Sequence, residues 1–267
     1  MGLYAKIIIK LTQKERKNKL NDVVLSIQKA CSIIKCFNHE TPELNLKKLC
    51  DLTGFPKSTV HRICTTLQKE GILNFDNDTN MYSLSLVMFE LGTAAIKKID
   101  IRDLIKKIMI DIVNETKETA ALYVCHDFKR ICIEKVESPF DVRQVVTLGK
   151  ALPLYLGSSG KIILAWMSPS QRKEYFKMVE KELPKQLHKN IEEMIRELDR
   201  IKEQGYCQSF SERVPDSKSV SAPIFFANQI MVLTILGPAA RIDDEKLAAI
   251  TDILVRETNK INSLLKQ

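Results

Sequence analysis

Apolar residues recur at helical spacing at Val23, Ile27, Ala30, Ile34 and Phe37, which predicts a first helix over residues 22–37. Residues 38–45 read as a loop around Pro42, and residues 46–52 as a second short helix. Gly54 supplies the turn, and Pro56 has a φ suited to the start of a third helix over residues 57–70, which Gly71 stops. On that helix Val60, Ile63, Cys64 and Leu67 form one apolar stripe. Two short strand patterns follow at residues 72–75 and 81–84, joined by the polar turn Asp76-Asn77-Asp78-Thr79-Asn80. A helix-turn-helix followed by a β-hairpin is a winged helix. Residues 86–98 read as a connecting helix.

Beyond residue 99 the pattern changes to an alternation of element types. Helices are expected over residues 101–118, 158–166, 191–204 and 243–265. Strands are expected over residues 120–125, 130–136, 143–148, 206–212, 219–225 and 230–236, the first two joined by a turn at residues 126–129. Hairpin-like strand pairs flanked by helices predict an α+β domain on a mainly antiparallel sheet. The expected organisation is a leader over residues 1–21, a winged helix-turn-helix over 22–84, a linker helix over 85–98 and a second domain over 99–267.

Charge sharpens this division. Residues 1–75 hold 13 Lys and Arg against 6 Asp and Glu, and the remainder 28 against 27, so nearly all of the net +8 sits beside the helix-turn-helix. A domain that grips phosphates is expected to be basic, and its neighbour need not be. The leader ends in Lys14-Glu15-Arg16-Lys17-Asn18-Lys19, either a solvated charge run or a basic arm on DNA. Seven Cys are scattered without C-x-x-C spacing, which fits reduced thiols in a cytoplasmic protein better than disulfides or zinc. No apolar run approaches the roughly 18 residues of a membrane span, and no signal-peptide core is present.

The third helix carries the chemistry for DNA. At 100° per residue, Ser58, Arg62, Thr65 and Lys69 fall opposite the apolar stripe with His61 on their flank, a face without acid or large apolar residue. Arg62 is expected to meet guanine bidentately or clamp a phosphate. Lys57 and Lys69 are expected phosphate contacts. Ser58 and Thr59 stand near the helix N-terminus, where N–H groups favour an anion, although simple N-capping also suits Ser58. His61 suits DNA contact or a solvated flank equally.

These segments together resemble the IclR family of regulators, from about residue 22 to the C-terminus. Gly54-Phe55-Pro56-Lys57-Ser58-Thr59-Val60-His61-Arg62 is similar to the family's recognition-helix signature. Tyr82-Ser83-Leu84 and Leu91-Gly92 resemble the wing end and linker start. Gly149-Lys150-Ala151-Leu152-Pro153-Leu154, Ser159-Gly160-Lys161, Gly205-Tyr206, Ser221-Ala222-Pro223-Ile224 and residues 236–242 continue the match in order. The resemblance implies a DNA-binding winged helix and a C-terminal GAF-like α/β domain that binds a small effector, often a carboxylate or an aromatic acid. It implies homodimers or homotetramers on double-stranded operator DNA, with repression the expected sign and activation the alternative. Against the family's pattern, Leu152, Ser158, Ser159, Ser209, Ser219 and Thr234 fall at effector-pocket positions; ordinary capping and strand roles are the other reading. The loop 156–161 runs into a helix whose end suits a carboxylate. Glu212 suits a ligand hydroxyl, a bond to Arg213, or a plain surface position.

Two departures from the family's pattern stand out. Asn80 and Met81 stand where an Arg commonly precedes the Tyr-x-Leu, the wing turn holds Asp76 and Asp78 with no basic residue, and residues 215–219 replace a stretch that often carries Gly and a pocket residue. Enzymes are the competing class. There is no G-x-S-x-G, H-E-x-x-H, Walker loop or dinucleotide fingerprint, and His39, His61, His126 and His188 are dispersed. No catalytic residue, metal or cofactor is therefore expected, nor a membrane partner. A winged helix used only for protein contact is the third reading; it predicts no salt-dependent DNA binding.

Overall fold

The structure is a computed structural model that describes residues 24–38, 40–97, 101–180, 183, 191–226 and 229–265. The expected leader, Asp22, Val23, His39 and His188 lie outside the described residues. The chain divides into two compact units, residues 1–98 and 99–267.

The first unit contains α1 (Leu25–Ile34), β1 (Glu43–Leu44), α2 (Leu46–Thr53), α3 (Lys57–Lys69), β2 (Leu73–Asp76), β3 (Met81–Leu84) and α4 (Leu86–Lys97). Asn45 caps α2 by accepting from the Lys48 N–H at 2.9 Å. Gly54 ends it at φ 70°, a conformation a side chain resists. Ile33, Leu49, Val60, Cys64, Leu73 and Tyr82 close one core between α1, α2, α3 and the hairpin. Each aliphatic side chain among them contributes about 1.5–3 kcal/mol on burial. The strand β1 falls inside the stretch expected to be loop. Buried Leu44 pairs with Tyr82, giving a three-stranded antiparallel sheet ordered β1-β3-β2. This is the winged helix read from the pattern.

The second unit contains α5 (Arg102–Thr116), β4 (Thr119–His126), β5 (Lys129–Val136), β6 (Ala151–Pro153), α6 (Ser158–Trp166), α7 (Pro169–Val179), α8 (Ile191–Gln204), β7 (Cys207–Phe210), β8 (Ser217–Phe226), β9 (Gln229–Pro238) and α9 (Asp244–Leu264). The strands form one antiparallel sheet ordered β6-β5-β4-β9-β8-β7. Side chains alternate across it. Leu122, Val220, Ile224, Leu233 and Ile235 face α5 and α9. Ala121, Tyr123, Cys132, Cys207, Val232 and Leu236 face the α6 side, where Tyr175, Phe176, Leu198 and Ile201 complete a second core. Burial pushes the Cys64 thiol up to about 11 and the Cys132 and Cys207 thiols up to about 12, so all three stay protonated at neutral pH.

Two expectations need correction. Residues 143–148 form no strand: Val145 and Leu148 are exposed, and the free edge of β5 is taken by β6 instead. The segment is held through Arg143, which reaches both Glu137 and the Phe140 carbonyl. Conversely, α7 is an element that the sequence pattern does not predict. Ser168 accepts from the Gln171 N–H while the Gln171 side chain accepts from Ser168 N–H, a capping box followed by Pro169 at the first helical position.

Candidate functional site

The outer face of α3 is built by its inner one. With Val60, Cys64 and Leu67 fixed in the core, Lys57, Ser58, His61, Arg62 and Lys69 are exposed, and Thr59 and Thr65 are half-buried at the edges. None of Lys57, Arg62 and Lys69 joins an ion pair among the described residues. Pro56 is the N-cap residue and no side chain caps the helix. Ser58 is therefore not an N-cap but an exposed residue of the first turn; the Thr59 and Val60 N–H groups donate to the Pro56 carbonyl at 2.9 and 3.1 Å, which leaves those of Lys57 and Ser58 facing outward. Thr65 donates to the His61 carbonyl at 2.9 Å, so its proton is spent within the helix and only its acceptor side is free for a base or phosphate.

The wing turn has the opposite charge. The Asp76 carboxylate accepts from the N–H groups of Asp78 at 2.8 Å and Thr79 at 3.3 Å, and these bonds hold its pKa below the usual carboxylate value. Asp78 is exposed beside it. The wing tip thus presents two carboxylates on a rigid turn.

The second constellation lies where the first turn of α6 meets the sheet. Ser158 shares hydrogen bonds of 2.8 Å with both Ser219 and Ser221, and Ser221 with Thr234 at 2.8 Å. Three of the expected pocket residues, Ser158, Ser219 and Thr234, thereby form one chain of hydroxyls through Ser221. Ser209 pairs in register with Ser219 on the same sheet face, without a bond between them. Ser159 follows in the helix and is buried. Leu152 lies farther along this face, on β6 opposite Arg130 of β5.

Three charged groups meet at this place, and the sequence names only Glu212 among them as a candidate. Lys161, on α6, is 8% exposed and donates to Glu197 at 2.8 Å and Glu212 at 2.6 Å. Burial works to lower its pKa, but the two carboxylates outweigh it and hold the ammonium above its ordinary value. Glu212 is not a plain surface acid: besides Lys161 it accepts from the Gly157 N–H at 2.9 Å, at the end of α6. Arg130 is 2% exposed under the same helix turn. The only sequence signal for it is a cation on the strand Lys129-Arg130-Ile131-Cys132-Ile133, and Ile131 and Ile133 make the other parity look like the inward one. Both faces are covered, so alternation alone does not choose.

Among the described residues, no three His, Cys, Asp or Glu side chains gather to hold a metal ion. His126 and Asp127 form an exposed local pair at 3.4 Å on the β4–β5 turn. No described helix is long and apolar enough to cross a membrane.

Comparison with known proteins bears on both constellations. Residues 26–77 match the IclR helix-turn-helix domain and residues 93–263 the bacterial transcriptional regulator IclR C-terminal domain. The chain is 30% identical over 241 residues to the HTH-type transcriptional regulator KipR of Bacillus subtilis (strain 168), covering 89% of this chain and 93% of that one. The crystal structure of an IclR family transcriptional regulator from Brucella abortus superposes with a TM-score of 0.80 at 24% identity, covering 92% and 94%. An IclR homolog from Microbacterium hydrocarbonoxydans, solved in complex with 4-hydroxybenzoate, superposes with a TM-score of 0.75 at 19% identity, covering 90% and 99%. With both units matched, in order and over most of its length, this chain belongs to the IclR family of transcriptional regulators.

Proposed function

We propose that α3 enters the major groove of operator DNA and that a small effector, held between α6 and the facing sheet, changes the affinity of that contact. The observation that carries the first half is the exposed face of α3, where Lys57, Arg62 and Lys69 stand without a carboxylate partner among the described residues. Unpaired cations on a rigid helix beside uncapped N–H groups are preorganised for phosphates and base edges. Arg62 reads a base, Lys57 and Lys69 hold phosphates, and Ser58, Thr59, His61 and Thr65 fill the contact around them. Leu86, Phe89 and Leu91 leave α4 with exposed apolar side chains, which supports paired copies on a two-fold operator.

The acidic wing tip does not grip phosphates in this reading. Asp78→Lys is expected to tighten binding to any duplex several-fold and to steepen the salt dependence by about one unit of slope. An unchanged affinity in a filter-binding or anisotropy titration would place the wing far from the DNA.

For the effector, the Ser158-centred hydroxyl chain and the end of α6 support a small acid with hydroxyl or aromatic character. A fold neighbour held with 4-hydroxybenzoate supports the same ligand size and charge. The relatives are named as regulators, and no reaction is proposed. The test is a preformed complex with labelled operator fragment, titrated with carboxylic acids. Release or tightening by an acid, lost in Ser158→Val and Thr234→Val, is the expected result. An affinity indifferent to every acid would remove the effector half.

A further inference from the structure

Arg130 is a buried cation short of a counter-charge. Its Nη1 donates to the Pro153 carbonyl, a neutral acceptor. Its Nε is buried without any hydrogen-bond partner. No carboxylate lies within ion-pair distance of it among the described residues. The charged and titratable groups that act on it are Tyr123, Tyr175, Arg213 and Glu212. Tyr175 is occupied, accepting from the N–H groups of Leu154 at 2.9 Å and Tyr155 at 3.0 Å. Glu212 is occupied by Gly157 and Lys161.

The guanidinium lies directly against the first turn of α6. A Cβ at Gly157 would meet its Nη2 at 3.5 Å, and one at Gly160 would run into Nη1 and the Leu154 carbonyl. The positive end of a helix therefore abuts a buried cation, an arrangement that is unfavourable until an anion joins it. Lys161 takes both Glu197 and Glu212, and Arg213, a further cation acting on Arg130, is exposed. The buried guanidinium is left without a carboxylate of its own, before the helix end is added. Burial lowers the Arg130 pKa only to about 10, so the cation persists at neutral pH.

Resting on the effector reading above, we propose that Arg130 is the anchor for the single carboxylate of the effector, which sits against the first turn of α6 between the guanidinium and the Ser158 hydroxyl chain. Glu212 already holds the Gly157 N–H, so the acid is recognised chiefly by the guanidinium. The unpartnered Nε supplies a donor waiting for the ligand, and Ser158, Ser219 and Ser221 offer hydroxyls to the rest of a small hydroxylated or phenolic acid. A buried charge kept without a partner costs stability, a cost that a binding site retains for its ligand.

The test uses the full chain, isothermal titration and thermal melting. The probes are lactate, gluconate and 4-hydroxybenzoate, each beside its neutral amide. The expected result is that at least one acid binds and raises the melting temperature while its amide does neither. Arg130→Met then weakens that acid at least about tenfold, and Arg130→Lys retains part of the binding. Without any acid, Arg130→Met melts at or above the wild-type temperature, because an unneutralised charge has been removed. A lower melting temperature for ligand-free Arg130→Met and Arg130→Lys alike would mark a structural arginine and overturn the proposal. Acid binding undiminished in Arg130→Met, or amides binding as well as acids with both lost in Ser158→Val, would overturn the anchor while leaving the effector pocket standing. Failure of all six probes to bind the wild type would remove the anchor and the effector reading together.

Discussion

Arg62→Ala is expected to weaken binding to specific operator DNA about ten- to a hundredfold while barely changing the fold. The side chain is exposed on α3 and makes no ion pair among the described residues, so its removal leaves no buried group unsatisfied. A bidentate Arg–guanine contact is worth about 1–3 kcal/mol of discrimination, which corresponds to a loss of about ten- to a hundredfold. Lys69→Ala provides the contrast. Removing a phosphate-binding ammonium there weakens all sequences about equally and lowers the salt slope by about one. Fluorescence anisotropy with operator and scrambled duplexes separates the two. If Arg62→Ala lost specific and non-specific binding in equal measure, Arg62 would be a phosphate clamp and another residue would read the bases.

Glu118→Gln is expected to destabilise the second unit by about 3 kcal/mol. Glu118 is fully buried just before β4 and receives Arg241 bidentately, at 2.8 and 2.7 Å, and Lys246 at 2.8 Å. Arg241 also donates to the Val142 carbonyl at 2.8 Å and lies 4.6 Å over the Phe140 ring. One carboxylate thus ties the irregular segment after β5, the end of β9 and the first turn of α9 to the sheet. Removing its charge leaves two cations facing a neutral amide. The loss stays at the low end for a buried pair because Arg241 and Lys246 are about a quarter to a third exposed and regain water. For a unit of this size it corresponds to a fall of about 6–12 °C in the melting temperature of its transition. A fall of under a degree would mean that the network contributes orientation without stability.

The winged helix is legible because local signals agree at every level. The apolar stripe of α3, the Asn45 cap, Gly54 and the Asp-Asn turn all favour the same arrangement, and only β1, formed by pairing with β3, departs from the local reading. The second unit is legible where apolar runs are long, as in β4, β8 and β9, or where the helical period is strong, as in α8. It is not where context decides. Residues 143–148 carry strand propensity, but strand propensity needs a partner edge, and β6 occupies it. The turn after β4 is a two-residue hairpin with Asp127 at φ 48° and Phe128 at φ 56°. Phe128 is a poor residue for positive φ, and only its packing against the α6-side core, with the Tyr175 ring at 5.9 Å, accounts for it.

The candidate pocket divides in the same way. Ser158 borders a segment readable beside a family pattern, whereas Ser219 is placed by position alone, in a stretch that departs from it. Ser221 lies in a readable segment, but its role as the link to Thr234 emerges only from the register Ser221↔Thr234. Arg130 is hidden by a bulge. The register of β5 against β4 shifts between Leu122 and Tyr123, so Glu134 faces α5, where Arg102 reaches it, while Arg130 and Cys132 face α6. Strict alternation along the strand puts Arg130 and Glu134 on one face, where they would read as a strand's polar side.

Sequence-specific DNA binding by the outer face of α3 is tested most directly by titrating the full chain against a labelled fragment from upstream of its own gene. The titration runs across a salt series in the presence of competitor DNA. The expected result is competitor-resistant binding whose log affinity falls linearly with log salt, with a slope of about −0.9 per phosphate contacted. Arg62→Ala is expected to reduce the preference over competitor about ten- to a hundredfold. No binding to any duplex, even at low salt, would contradict this reading and leave the winged helix as a surface for protein contact.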